Sequence, residues 1–193
     1  MNALTLNIPS AVKLTDEQFY QLCLANRDLR LERTAQGELI VMPPTGGGTG
    51  KRNIKISSRL EVWSSQNNLG VAFDSSTGFK LPNGATRSPD AAWVTQERWD
   101  ALTPDQQEEF PPICPDFVVE LRSASDSLTK AREKMQEYLN NGCRLGWLID
   151  PQNQRVEIYR LNQEVEIVRS PTTLSGEDVL PGFVLDLTGI LSS

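Results

Sequence analysis

Apolar residues recur along this chain with two different periods, and the switches between them mark its strands and helices. Short apolar or alternating runs, bounded by turn residues, predict strands at Leu29–Arg33, Leu39–Met42, Val71–Phe73, Gly78–Leu81, Asp90–Val94, Phe117–Leu121 and Leu145–Ile149. Val156–Tyr159 and Val165–Val168 alternate like the arms of a hairpin closed at Asn162-Gln163. Helical spacing occurs at Phe19, Leu22 and Cys23, at Ile56, Leu60 and Trp63, and at Leu128, Ala131, Met135, Tyr138 and Leu139. Thr15 with Gln18 has capping-box spacing, which predicts a first helix from Thr15 to about Arg27. The second helix is expected to begin near Lys51, after a loop over Pro43–Gly50, and to end before Gly70. Thr103-Pro-Asp-Gln106 opens a short helix by the same capping logic. The last helix runs from Ser127 to about Asn141, where Gly142 stops it.

A strand on each side of the Ser127–Asn141 helix suggests a βαβ crossover, whereas the flanking hairpins suggest antiparallel pairing. The expected class is α/β, a central mixed β-sheet flanked by helices with β-hairpin additions. No repeat, low-complexity tract or long linker divides residues 1–193, so one domain is the simplest account. No apolar run approaches the roughly 20 residues of a membrane span. The first residues lack the basic start and long apolar segment of a signal peptide, and a cytoplasmic location is the expectation.

Composition removes whole classes of chemistry. The chain has no histidine, which excludes Ser-His-Asp and Cys-His nucleophiles and histidine-ligated metals. Any metal has to be held by oxygen, which favours magnesium, manganese or calcium. Its three cysteines, Cys23, Cys114 and Cys143, are far apart and read as buried structural thiols rather than disulfides or zinc ligands. A net charge of −6 offers no bulk attraction for a phosphate backbone, so a nucleic-acid role needs a local basic patch. Lys51, Arg52, Lys55 and Arg59 offer one, although a solvated helix face explains them equally well. Gly46–Gly50 fits neither a P-loop nor a dinucleotide fingerprint, and a mobile or substrate-facing loop is expected there.

Glu120 interrupts the apolar strand Phe117-Val-Val-Glu-Leu121, where an ionised carboxylate is costly unless paired or metal-bound. The structural alternative is an ion pair with Arg122 or another base. Asp90 opens the strand Asp-Ala-Ala-Trp-Val94 behind Pro89, and two such carboxylates on neighbouring strands can chelate a hard divalent ion. Asp116 competes for this role, but at the strand entrance a turn or capping Asp is unremarkable, and Asp90 is the better candidate. On the following helix Lys134 and Arg132 border opposite sides of the apolar stripe, and periodicity does not choose between them.

Ser88-Pro-Asp-Ala-Ala-Trp-Val94, Pro115-Asp-Phe-Val-Val-Glu-Leu-Arg-Ser123, Lys134-Met-Gln-Glu-Tyr138 and Gly146-Trp-Leu-Ile-Asp-Pro151 together resemble the Uma-type restriction endonuclease family. That family lies within the restriction-endonuclease-like PD-(D/E)XK superfamily. Leu31–Pro44 also resembles the family's N-terminal part, and the likeness extends from about residue 15 to 187. The resemblance implies a restriction-endonuclease-like fold and a metal-dependent endonuclease acting on DNA with Mg2+ or Mn2+. Asp90 matches the Asp of the PD element and Glu120 the acidic residue of the second element, which makes both the implied metal ligands. The superfamily's usual lysine position holds Arg122, and the family pattern points instead to Lys134 on the next helix. Glu32 resembles an additional acidic residue near the site. Because cutting both strands commonly uses two sites, the resemblance also implies a homodimer. Arg122 and the acidic total keep a second reading in play, a non-catalytic nucleic-acid- or protein-binding module that retains the fold. A divalent-dependent hydrolase of a smaller phosphate substrate is a third.

Overall fold

The computed structural model describes residues 3–9 and 12–191. Its larger sheet has six strands in the order β11-β10-β9-β8-β7-β4. They are β4 (Gly70–Asp74), β7 (Ala91–Thr95), β8 (Phe117–Leu121), β9 (Leu145–Asp150), β10 (Arg155–Arg160) and β11 (Glu166–Arg169). Only β8 and β9 run parallel, joined across helix α5 (Leu128–Asn140) as a βαβ unit, and the other neighbours are antiparallel. A second, antiparallel sheet has the order β1-β3-β2-β6-β5. Its strands are β1 (Leu4–Leu6), β2 (Arg30–Arg33), β3 (Leu39–Met42), β5 (Phe79–Lys80) and β6 (Thr86–Arg87). A small hairpin, β12 (Thr173–Ser175) with β13 (Val184–Asp186), lies near the C-terminal end.

The α/β class, the βαβ crossover and the β10–β11 hairpin agree with the sequence pattern. Helix α1 (Asp16–Ala25) carries the anticipated Thr15/Gln18 capping box, and α4 (Pro104–Glu108) the Thr103/Gln106 one. Ser127 caps α5, and Gly142, at φ 104°, supplies the left-handed turn that ends it. Two expectations need correction. Helix α2 spans Gly47–Asn67, so half of the expected loop is helix: Gly46 is its N-cap and the Gly50 N–H already bonds the Gly46 carbonyl at 3.0 Å. A first helical turn needs no side chains, and packing of Ile56, Leu60 and Trp63 holds the remainder despite the glycine cost. Strand β7 begins at Ala91, which leaves Asp90 just outside the ladder. The short helix α3 (Gln96–Asp100) and strand β6 carry too few residues to show a period. Among the described residues no helix is long and apolar enough to cross a membrane.

Strand alternation sends successive β8 residues to opposite faces of the large sheet. Phe117, Val119 and Leu121 join Ile56, Leu60 and Trp63 of α2, together with Trp93 and Trp147, in one core. Val118 joins Ala92, Leu148 and the buried Met135, Tyr138 and Leu139 of α5 in the other. Each such large side chain contributes about 1.5–3 kcal/mol on burial. Gly146 lets α5 sit close, since a Cβ there would stand 2.5 Å from the Met135 methyl. The same alternation places Glu120 on the α5 side, in register with Leu148 of β9.

Candidate active site

Four elements converge under the middle of α5. Strand β2 brings Glu32, the turn before β7 brings Asp90, β8 brings Glu120 and α5 brings Lys134. Lys134 Nζ lies 2.9 Å from Glu32 Oε1 and 2.8 Å from Glu120 Oε1, and it donates to the Ser88 carbonyl at 3.2 Å. An ammonium has three N–H groups, so all are engaged. Tyr138, one turn along α5, donates its hydroxyl to Glu120 Oε1 at 3.0 Å. Both contacts to Glu120 thus fall on one oxygen. Asp90 Oδ2 accepts the Leu121 backbone N–H at 2.8 Å and Oδ1 accepts the Asn53 amide at 2.9 Å. The first of these bonds fixes Asp90 beside the end of β8, next to Glu120.

Electrostatics separate the three carboxylates. Burial pushes Glu120 up to about 7; Lys134 opposes this, while the neighbouring Asp90 and Glu32 charges add to it. Asp90 is likewise raised by burial, against the Leu121 N–H, Lys134, Asn53 and Arg30. Burial also disfavours charge on Glu32, which is 2% exposed, yet Lys134 and Arg87 outweigh it and hold that carboxyl below its ordinary value. Arg87 bonds Glu32 Oε2 at 3.1 Å and the Ser88 N–H bonds Oε1 at 3.0 Å, so both Glu32 oxygens are occupied. Lys134 stays charged because the Glu120 and Glu32 charges outweigh its desolvation.

The donor set fits a hard divalent ion. Asp90 and Glu120 are adjacent carboxylates, both raised chiefly by burial, with the Asp90 and Glu32 charges adding to the shift at Glu120, and a bound cation would favour their charged forms. Among the described residues no group of three or more His, Cys, Asp or Glu side chains forms a metal cage, so an ion held by this pair would need backbone, amide, water or substrate oxygens to complete its shell. Glu32 has both oxygens engaged and holds Lys134 in place beside Glu120.

The alternatives weighed from sequence are placed elsewhere. Arg122, instead of pairing with Glu120, bonds Asp150 at 3.1 Å, because it lies past the strand end where its side chain can reach β9. Arg132 forks onto Glu157 at 2.7 and 2.9 Å. Asp116 accepts the Thr95 N–H and pairs with Arg98 at the far end of β8. The basic stretch of α2 is mostly committed to the chain's own end: Arg52 bonds the Ile190 carbonyl, Lys55 that of Thr188, and Arg59 pairs with Asp186. Of the cysteines, Cys114 and Cys143 are buried and Cys23 is partly so, all free.

Sequence reasoning missed Arg87, Asn53 and Arg30, and gave Tyr138 only a packing role. Asn53 could have been noticed as a polar residue three positions before Ile56, on the core-facing side of α2. Arg30 lies two residues before Glu32, which gives both the same face of β2.

The model of the Uma2 family, "Putative restriction endonuclease", matches residues 16–188. The chain belongs to the Uma2 family. A crystal structure from Anabaena variabilis ATCC 29413, named "a putative nuclease belonging to DUF820", is similar in fold with a TM-score of 0.77. It is 23% identical over 92% of this chain and 97% of that one. No curated protein matches. Residues 90, 120 and 134 all lie within the span that the family model covers.

Proposed function

We propose that this Uma2-family chain is a metal-dependent endonuclease that hydrolyses phosphodiester bonds in DNA, with Asp90 and Glu120 as the ligands of Mg2+ or Mn2+. The observation that carries this reading is the pair itself: two partly buried carboxylates, Asp90 from the turn before β7 and Glu120 from the neighbouring β8, both raised, with a lysine bonded to one of them. Structural ion pairs are normally arranged to lower carboxylate values, not to raise them.

A bound divalent ion would supply Lewis acidity and a water of lowered pKa. The chain's own residues do the rest. Leu121 N–H and Asn53 hold Asp90 in one orientation, and Tyr138 with Lys134 fixes Glu120 through one oxygen. Glu32, held by Arg87 and Ser88, keeps the Lys134 ammonium beside the carboxylate pair. Lys134 reaches a phosphate or attacking water only by releasing one of its three acceptors. The Arg30 side chain makes no hydrogen bond or ion pair among the described residues, yet lies near enough to act on Asp90, so we assign it to a backbone phosphate. A second copy of the chain would provide the second site for double-strand cutting, which sedimentation analysis tests.

The full engagement of Lys134 favours one competing reading, a closed, non-catalytic module. Plasmid and linear DNA incubated with Mg2+ or Mn2+, against chelator, separates the two. Metal-dependent cleavage that Asp90→Asn abolishes supports the endonuclease. DNA binding without cleavage or metal uptake supports the module.

A further inference from the structure

We propose that Asn53 completes the metal site, its side-chain carbonyl oxygen serving as a third protein oxygen toward the divalent ion. This rests on the reading of Asp90 and Glu120 as ligands and adds a residue from a different element, the long helix α2.

Three observations carry it. Asn53 Nδ2 donates to Asp90 Oδ1 at 2.9 Å, so its amide touches the carboxylate at the centre of the site. That bond also settles which end of the amide faces which way. An ionised carboxylate only accepts, so the NH2 has to face Asp90 and the carbonyl has to face away from that bond. The carbonyl oxygen, Oδ1, is then buried without any hydrogen-bond partner among the described residues. A buried amide oxygen left unpaired costs about 1–3 kcal/mol, and native structures seldom keep one without a ligand, a water or strain to account for it.

Chemistry names the ligand. Asn carbonyls are ordinary donors to hard divalent ions, and two carboxylates alone leave such an ion short of protein oxygens. The other side chains that touch Asp90 or Glu120 are Lys134 and Tyr138, a cation and a hydroxyl already donating. Glu32 is fully occupied. Asn53 is therefore the neutral oxygen at the site with unused acceptor capacity. The other buried side-chain atoms without a hydrogen bond among the described residues, Trp147 Nε1 and Arg155 Nε (the latter ion-paired with Asp150), are donors and cannot face a cation.

The test is metal binding, read independently of cleavage. Calorimetric titration of Mn2+ into the wild-type protein, Asn53→Ala and Asn53→Asp gives the first readout. Asn53→Ala should weaken binding by about tenfold or more. Asn53→Asp keeps an oxygen while losing the N–H to Asp90, and should bind within about threefold of wild type or tighter. The second readout needs no variant: in a Mg2+ titration followed by carbonyl 13C resonance, the Asn53 side-chain carbon should shift together with the Asp90 and Glu120 carboxyls. Carboxyl shifts without one at Asn53, or Asn53→Ala binding as wild type, overturn the assignment of Asn53 and leave the carboxylate pair standing. Asn53→Asp binding as weakly as Asn53→Ala would make Asn53 only the holder of Asp90, which also overturns it. No Mn2+ uptake by the wild-type protein overturns the carboxylate reading itself.

Discussion

Glu120 and Glu157 lie on the same row of the large sheet, both in register with Leu148 of the strand between them. Both face α5, and α5 meets each with a cation two residues apart, Lys134 for Glu120 and Arg132 for Glu157. The outcomes are opposite. Glu157 receives the planar Arg132 fork, the Tyr159 hydroxyl at 3.0 Å and Arg155 at 3.4 Å; burial resists, but these hold its carboxyl below the ordinary value. Asp150 beside it is also lowered, burial being outweighed by Asn153 and Arg122. Three arginines thus serve two carboxylates there, whereas at the other cluster Arg87 and Lys134 serve Glu32, Lys134 alone serves Glu120, and Asp90 is left to backbone and amide. One cluster has neutralised itself. At the other, burial raises Glu120 and Asp90 by more than their bonded partners lower them, and on the proposed reading that difference separates a structural network from a metal site.

The largest effect that could break the comparison is on cleavage. Asp90→Asn removes one carboxylate charge from the site without changing its shape. Metal-dependent cleavage should fall on the order of 10³-fold, about 4 kcal/mol of barrier, with melting temperature little changed. Arg132→Met should leave the cleavage rate within a few fold. Equal losses in the two variants would erase the distinction between the clusters.

Stability should show the reverse ranking. Asp150 is fully buried and serves both Arg122 and Arg155, so Asp150→Ala strands the Arg122 guanidinium and leaves Arg155 only Glu157. The cost should be about 3 kcal/mol in denaturant unfolding. Mn2+ affinity should stay within a few fold of wild type, and its loss would mean that the second cluster belongs to the site.

The two clusters should also respond to pH with opposite sign. A carboxyl raised to about 7, as Glu120 is, stays protonated in the fold while the unfolded chain ionises at its ordinary 4.5. Between those values the folded state binds the extra proton, so metal-free stability falls as pH rises, by at most about 1.4 kcal/mol per unit. Above about 7 the loss is complete. The lowered Asp150 and Glu157 behave conversely: their stabilisation is present above the unfolded values of 3.8 and 4.5 and disappears as acid titrates the folded groups. Glu120→Gln should flatten the slope between pH 4.5 and 7 and leave the acid limb intact, as chemical denaturation across that range would show.

Much of this contrast was legible in the chain, and the remainder was hidden for physical reasons. Periodicity located β8, α5 and β9, since each buries a full face, and the apolar run around Glu120 exposed the anomaly. The match of Asp90, Glu120 and Lys134 to a family pattern then brought together residues that are far apart in sequence. Periodicity could not separate Lys134 from Arg132, because both border one apolar stripe and only the register of β8 against β9 and β10 decides which carboxylate each meets. Nor could it show that Arg52, Lys55 and Arg59 are taken by residues 186–190, a contact made across more than a hundred residues of chain. Arg30 stayed hidden because a surface-like Arg on a short strand carries no signal until its face is known.

Arg30 gives the smallest effect and the sharpest question about the substrate. A protein of net charge −6 holds a polyanion only through cations that are not already spent. Lys134, Arg87, Arg132 and Arg122 are all bonded to carboxylates, whereas Arg30 is the site cation whose side chain makes no bond among the described residues. If it contacts one backbone phosphate, Arg30→Ala should weaken DNA binding about tenfold and reduce the slope of log affinity against log salt by about 1. That measurement is best made on Asp90→Asn protein in calcium or chelator, so that cleavage does not consume the probe. The loss should be uniform across DNA sequences, because a phosphate contact positions the duplex without reading it. A loss confined to one sequence would place Arg30 at a base edge. An unchanged salt slope would show that the one uncommitted cation beside the carboxylates does not face the nucleic acid, and the substrate would then have to approach from the α2 side, where Lys51 is the basic residue that makes no bond to the C-terminal segment.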